Sequence, residues 1–300
     1  MRVLRAAAVV ILIVSGVAFI SLRTGSTPRT AAAEAAASVP ATAEPLTTGR
    51  AAQSGVYSAV LAQKGLTGIT DVLEAAYGGY LSSYADTPNA ARLTAGLGVE
   101  WETAKVGYKP HASVTSIHSA LDALTVLMTC HDLRPDDIVH LDVGVSSMTF
   151  VHCAWDYKAQ GVTAAQMNLF YGLAVVAHDG AAFVRQYRED RLAEPQLMAF
   201  IARISAAVDP EIDAMGPAFR HAASVTAQTR DGRTLTHRIM NRRGSPENPL
   251  SAADVEYKFR NVVEACLPAS AVERFVTLSR TLETLSSIDE LIALMAAPRP

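Results

Sequence analysis

The stretch "YKPHASVTSIHSALDAL", Tyr108 to Leu124, marks a change from extended backbone to a buried helix. Lys109 stands directly before a proline, which favours an extended conformation for that lysine. The apolar residues that follow predict a helix, and His118 lies about two helical turns before Thr125, on the same side. A lysine and two histidines, His111 and His118, therefore gather at the start of a core helix. They are either polar residues in front of that helix or the lining of a site for an anionic substrate.

Strands are predicted farther along, in the middle of the chain. The segment "DIVHLDVGV" places four alternating apolar residues on one face, namely Val139, Leu141, Val143 and Val145. The segment "ASVTAQTRDGRTLTHRIM" has two alternating runs around an Asp-Gly pair at 231–232. Glycine accepts the positive φ of a tight turn, so this segment predicts a β-hairpin.

Helix-capping patterns predict helices on both sides of these strands. Thr163 and Gln166 form a capping-box pattern ahead of the apolar "AQMNLFYGLAVVA", and Ser251 and Asp254 form another in "SAADVEYKFRNVV". Thr70 is a candidate N-cap for "DVLEAAYGGYLSSYA". Helices thus occupy both ends of the chain, and a mixed segment from about 106 to 243 lies between them, which predicts an α+β fold.

The composition excludes several classes of protein. Half of the 300 residues are hydrophobic and the net charge is -3, with scattered basic residues, so we expect no nucleic-acid partner. The three cysteines, Cys130, Cys153 and Cys266, form no CxxC pair and predict free thiols. The eight histidines show no HxxxH or HxH spacing, which argues against a metal site. The chain has no P-loop, GxGxxG or GxSxG motif.

The N-terminus carries an uncharged apolar run from Ala6 to Leu22, after two arginines. Its 17 residues are at the short edge of what spans a bilayer core of ~30 Å. Ala31–Pro45 follows as a low-complexity stretch. The run is either a signal peptide or membrane anchor, or a helix of a soluble protein.

Five segments, in this order, resemble the MmgE/PrpD family, which includes 2-methylcitrate dehydratases and cis-aconitate decarboxylases. They extend from Gly49 to about Leu267 and are "GRAAQSGVYSAVLAQKGLTG", "LEAAYGGYLSSYAD", "YKPHASVTSIHSALDAL", "AQMNLFYGLAVVAHDG" and "RGSPENPLSAADVEYKFRNVV". The resemblance implies a partial helical domain made of 49–105 plus 244–300, an inserted α+β lid domain at 106–243, and a separate N-terminal segment at 1–48. It also implies a homodimer and a lyase of propionate or related metabolism that needs no cofactor and no metal.

The resemblance also implies roles for four residues around a small polycarboxylate. Lys109 and His118 match the family's lysine and the histidine nine residues later, and we expect them to be catalytic. A lysine ammonium suits an anionic ligand, and a histidine can transfer a proton near neutral pH. Gln53 and His111 are expected to bind the substrate, although His111 stands where an aromatic residue is usual in the family.

Family members have a long helical half before the segment that begins at Gly49, whereas 48 residues without a histidine precede it here. Two hypotheses follow. The chain is a dehydratase- or decarboxylase-type lyase that is truncated and weakly active or inactive alone, or it is a non-catalytic remnant or partner-binding protein of the same fold. We expect a cytoplasmic location, with membrane anchoring or export through residues 6–22 as the alternative.

Cell fractionation tests the interpretation of Ala6–Leu22. We expect a fusion of the full chain to stay in the high-speed supernatant, and deletion of residues 1–45 to leave its location unchanged. Recovery of the full chain only in carbonate-resistant membranes, with release by the deletion, would establish an anchor instead.

Overall fold

The computed structural model describes residues 43–264 and 266–295 of the chain. These residues form two compact units, one ending at Thr103 and the other beginning at Ala104. The segment Ala6–Leu22 lies outside the described residues. Within the described ranges, every helix is too short or too polar to cross a membrane.

Among its described residues, the first unit contains two α-helices, α1 (Ala43–Gln63) and α2 (Tyr80–Tyr84), joined by turns. The expectation of a helix capped by Thr70 is wrong, because only the last part of that segment is helical. Two glycines explain the difference. Gly78 has a φ of +72°, and Gly79 lies so close to Ala75 that an added Cβ would stand 2.3 Å from its carbonyl oxygen. Adjacent glycines make a continuous helix costly, and here they bend the chain.

The second unit holds nine helices and four strands within its described residues. The helices are α3 (His118–Cys130), α4 (Ser147–Cys153), α5 (Val162–Met167), α6 (Leu169–Asp179), α7 (Pro195–Ile201), α8 (Pro210–Ala214), α9 (Ala252–Val263), α10 (Ala269–Ser279) and α11 (Asp289–Met295). The strands are β1 (Ile138–Val145), β2 (Ile204–Val208), β3 (Ala223–Thr229) and β4 (Thr234–Ile239).

The four strands form one mixed sheet in the order β2-β1-β3-β4. β1 is parallel to β2 and antiparallel to β3, and β3 pairs with β4 as the predicted hairpin, with Gly232 at a φ of +87°. Of the four residues predicted to share one face of β1, three are buried together, namely Leu141, Val143 and Val145. Val139 is 53% exposed and Ile138 is buried instead, because a register irregularity lies between Ile138 and His140.

Helix α3 is the centre of the core. It packs against β3, β4 and α6, and its residues Leu121 and Leu124 are fully buried. Gly172 of α6 permits this approach, since an added Cβ would lie 2.9 Å from the Cδ1 of Ile117. Helices that pack against a four-stranded mixed sheet confirm the α+β class.

One of the two predicted capping boxes forms. Ser251 accepts from the Asp254 backbone N–H at 3.1 Å, and the Asp254 carboxylate accepts from the Ser251 N–H at 3.0 Å, at the start of α9. The prediction for Thr163 is wrong, because Thr163 lies inside the short helix α5. The apolar helix α6 begins later, where the Oδ1 of Asn168 accepts from the Tyr171 N–H at 3.0 Å.

The division into a helical domain and an inserted lid stays a prediction. Residues 244–295 belong to the same compact unit as 104–243. A backbone contact at the border joins the two segments, since the Tyr108 N–H donates to the Gly244 carbonyl at 2.7 Å. Gly244 has a φ of +84°, and an added Cβ would stand 2.0 Å from the Tyr108 carbonyl oxygen.

Gly244 has two constraints, its positive φ and its close contact with the Tyr108 backbone, and two glycine substitutions distinguish them. Gly232 has a similar φ of +87° but nothing within 4 Å of an added Cβ, so Gly232→Ala carries backbone strain alone, about 1–2 kcal/mol. Gly244→Ala adds an overpacking cost and should lose roughly 3 kcal/mol or more. Urea unfolding of the two variants measures the difference, and equal losses would mean that the segments at Tyr108 and Gly244 are not in tight contact.

Candidate functional site

The segment from Lys109 to Val114 leads into α3 and is held by hydrogen bonds on both sides. The Ala112 N–H donates to the Ala182 carbonyl at 2.8 Å, and the Val114 N–H donates to the Gln166 carbonyl at 2.9 Å. The Gln166 side-chain amide donates to the Ala112 carbonyl at 2.8 Å. Gln166, expected to cap a helix, instead fixes this segment in place.

His111 is buried, 6% exposed, and makes a hydrogen bond to a carboxylate of α3. Its Nε2 lies 3.0 Å from the Oδ1 of Asp122. Because a carboxylate only accepts, Nε2 is the protonated nitrogen, and Nδ1 has no hydrogen-bond partner among the described residues. The guanidinium of Arg243 also reaches this carboxylate, with Nε 3.5 Å from Oδ1. Asp122 thus links the segment before α3, through His111, to the turn after β4, through Arg243.

His118 is fully buried at the first residue of α3 and lies edge-on to His111, with ring centroids 5.1 Å apart. Its Nε2 donates to the Ser113 carbonyl at 3.3 Å, so the lone pair is on Nδ1, which has no partner within the described ranges. Burial lowers the pKa of His118 well below its usual value, and the charges of His111, Lys109 and Arg242 add to this. The Ser113 hydrogen bond opposes the shift. His118 is therefore neutral at pH 7.

The structure brings together three of the four predicted site residues. Lys109 is exposed and lies two residues before His111, and its charge contributes to the lowered pKa of His118. Gln53 lies in the first unit, where it is exposed and accepts from the Arg50 guanidinium at 3.0 Å. A candidate site in the second unit therefore consists of Lys109, His111 and His118.

A cleft of about 180 Å³ borders His111. Its wall comes from the entry to α3, the loop after α6, the turn after β4 and the first half of α9. The lining residues are Pro110, His111, Thr125, Gly180, Ala181, Phe183, Arg243, Leu250, Asp254, Tyr257 and Lys258. Sequence reasoning missed Arg243 and Lys258, although both lie in the last of the five segments quoted above. Across residues 43–264 and 266–295, no group of three or more His, Cys, Asp or Glu side chains could hold a metal ion.

Arg242 is a second cation near the histidines. An added Cβ at Gly107 would come within 2.8 Å of its Nη2, so the guanidinium lies against the backbone of that glycine. Its charge also acts on His221, whose pKa is lowered to about 4, first by burial and then by Arg220 and Arg242. Two neutral histidines, His118 and His221, therefore accompany this guanidinium.

The depressed pKa values predict that acid destabilises the fold. An unfolded histidine titrates near 6.5, above the folded values of His118 and His221, so the unfolded chain binds more protons below that pH. The contribution of these two neutral histidines to the free energy of unfolding should be fully present above pH 6.5. It should decrease as the pH drops from 6.5 to 5. The melting temperature, measured across this pH range, should fall less steeply with decreasing pH in His118→Gln and His221→Gln than in wild type. His131→Gln, at an exposed position, is the control, and an unchanged slope in both His118→Gln and His221→Gln would contradict the prediction.

Comparison with known proteins identifies relatives of one kind. The chain is 26% identical over 259 residues to the cis-aconitate decarboxylase-like protein oryM of Aspergillus oryzae, covering 82% of this chain and 53% of that protein. It is 26% identical over 265 residues to cis-aconitate decarboxylase of Aspergillus terreus, covering 83% and 54%. With human cis-aconitate decarboxylase it shares 25% identity over 265 residues, covering 86% and 53%.

The chain thus spans about half the length of the curated relatives that it matches. The family model of the MmgE/PrpD C-terminal domain matches residues 111–284, more than half of the chain. That range includes His111, His118, Asp122, Arg243 and Lys258, the residues of the cluster and the cleft. The sequence resemblance and the family model agree, and the chain belongs to the MmgE/PrpD family.

Proposed function

We propose that this chain is a lyase of the dehydratase or decarboxylase type that acts on a small di- or tricarboxylate and is weakly active or inactive alone. Membership of the MmgE/PrpD family and the names of the cis-aconitate decarboxylase relatives support the reaction class. The observation that carries the proposal is the buried pair of imidazoles, His111 and His118, beside the ammonium of Lys109.

Both reaction types need a proton to move at a carbon that neighbours carboxylates. In a dehydration, a base takes the proton from that carbon while the hydroxyl group leaves with a proton from an acid. In a decarboxylation, carbon dioxide leaves and the carbon that loses it takes up a proton. One imidazole within reach of the carbon can serve either reaction as base or acid.

The two histidines differ in their access to a ligand. His111 borders the cleft, and the Asp122 carboxylate holds it in one tautomer, as an orienting carboxylate does for a catalytic histidine. His118 lies beneath the surface with its Nδ1 lone pair unprotonated. We therefore assign substrate contact to His111 and proton transfer to the more deeply buried His118. We assign to Lys109 the donation of a hydrogen bond to a substrate carboxylate.

Weak activity is expected because the chain spans about half the length of its relatives. General acid–base help contributes about 10²–10⁴-fold to an enzyme's rate, and substrate positioning contributes more. A site that has one buried histidine pair and one ammonium supplies only part of the acid–base help and part of the substrate positioning. Gln53 remains a proposed substrate-binding residue, and the homodimer remains a proposed assembly.

A non-catalytic, partner-binding role is the second candidate, and the first unit favours it. Among residues 49–103 only two are buried, and both are glycines, Gly55 and Gly79. Large apolar side chains are correspondingly exposed there, including Val56, Tyr57, Leu66, Ile69, Tyr77, Leu97, Val99 and Trp101. Apolar surface of this kind is typical of regions that contact another protein.

An activity assay with cis-aconitate and 2-methylcitrate tests the proposal. Wild type should bind at least one of these acids and should turn it over slowly or not at all. Lys109→Ala and His118→Ala should each remove any turnover, and Lys109→Ala should also weaken binding of the acid. A single charge-assisted contact contributes about 1.5–3 kcal/mol at best, so a loss of roughly tenfold in affinity is expected.

Lys158→Ala, at an exposed lysine outside the cluster, is the matched control and should behave as wild type. Turnover that survives both Lys109→Ala and His118→Ala would overturn the assignment of the site. Absence of both turnover and binding in the wild type would favour the partner-binding role.

A further inference from the structure

We propose that the cleft beside His111 is a carboxylate-binding subsite in which Lys258 and Arg243 hold one carboxylate arm of the ligand. This rests on the proposed function for the identity of the ligand. It adds two residues, from α9 and from the turn after β4, to the cluster at the start of α3.

Among the described residues, Lys258 is the cation of the cleft that has no carboxylate partner. Asp254 stands one helical turn earlier on α9, at the spacing at which a carboxylate and a lysine commonly pair. Its carboxylate is already engaged, because Oδ2 accepts from the Ser251 N–H at 3.0 Å and Oδ1 lies 3.4 Å from the Arg243 Nη1. No carboxylate of the described residues lies within 4.0 Å of the Lys258 ammonium. A ligand carboxylate can therefore take the place that a protein carboxylate usually fills.

Arg243 retains hydrogen-bond donors for a ligand. A guanidinium has five N–H donors, and in Arg243 they meet two carboxylates at long range, Asp122 at 3.5 Å and Asp254 at 3.4 Å. These contacts orient the guanidinium without using all of its donors. The planar group can donate two parallel hydrogen bonds to one ligand carboxylate, the geometry that arginine favours.

The size and the walls of the cleft suit a small acid. At about 30 Å³ for each water molecule, 180 Å³ holds roughly six waters, less than the ~300–1,000 Å³ of sites for drug-sized ligands. Phe183 and Tyr257 meet edge to face at 5.6 Å on one side, with Leu250 and Pro110 also in the lining. Apolar walls around two cations favour a short carbon chain that ends in a carboxylate.

Two cations, Arg243 and Lys258, outnumber the one carboxylate, Asp254, in the lining. His111 lines the same cleft and bonds to Asp122, the carboxylate that Arg243 also contacts. A ligand arm held by Arg243 and Lys258 would therefore lie next to the histidine pair. This placement makes Lys258 a residue that determines specificity for a second or third carboxylate.

The test uses the full chain and tricarballylate, a stable tricarboxylate, with the monocarboxylate butyrate for comparison. Calorimetry should give roughly tenfold weaker tricarballylate binding for Lys258→Met and near-normal binding for Lys258→Arg, with Lys158→Met equal to wild type. A second measurement needs no variant. Reductive methylation of wild type, followed by mass spectrometry, should show Lys258 protected by tricarballylate but not by butyrate, whereas exposed Lys158 reacts equally in all samples.

The outcomes separate this inference from the proposed function. Tricarballylate binding that depends on Lys109 but not on Lys258, with unprotected Lys258, would overturn the subsite and leave the lyase proposal standing. Protection of Lys258 by tricarballylate would support the subsite whether or not the chain alone turns over an acid. Equal protection by butyrate and tricarballylate would overturn the selectivity for an additional carboxylate.

Discussion

The burial of α3 is the constraint on which the site depends. The helix is covered by β3 and β4 on one side and by α6 on another, so nearly all of its first ten residues are buried. Ile117, Leu121 and Leu124 are the apolar part of this contact. Its polar residues, His118 and Asp122, are carried into the interior with them, since a helix covered on two sides leaves few positions for solvated groups.

Burying polar groups requires partners, and these partners build the site. A buried carboxylate without a partner costs several kcal/mol, and Asp122 meets this requirement with His111 and Arg243. The segment before α3 and the turn after β4 must therefore both approach the helix. Gly107 and Gly244 allow that approach, because a side chain at either position would overlap the facing backbone. The close packing that fills the core thus brings His111 and Arg243 to one cleft.

The same burial determines the electrostatics. His118 is kept neutral because an imidazolium in the interior would lose its hydration and would face other positive charges. Positive charge is instead carried by groups with access to water, Lys109, Arg243 and Lys258. A neutral imidazole close to cations at the surface would suit the proton transfer proposed for an anionic substrate.

Local patterns in the sequence were sufficient for elements whose cause is local. The Asp-Gly hairpin turn and the Ser251 capping box formed as predicted, because each depends on the backbone preferences of a few adjacent residues. The α+β class and the gathering of Lys109, His111 and His118 also followed from the sequence, since these three residues lie within ten positions of one another. Tertiary structure decided the rest. A bulge turned Val139 outward, two glycines bent the helix expected after Thr70, and Gln166 bonded to Ala112 instead of capping a helix. Arg243 and Lys258 are more than 120 residues away from His111 in the chain, and only the packing of α3 against the later strands and helices brings such residues to one cleft.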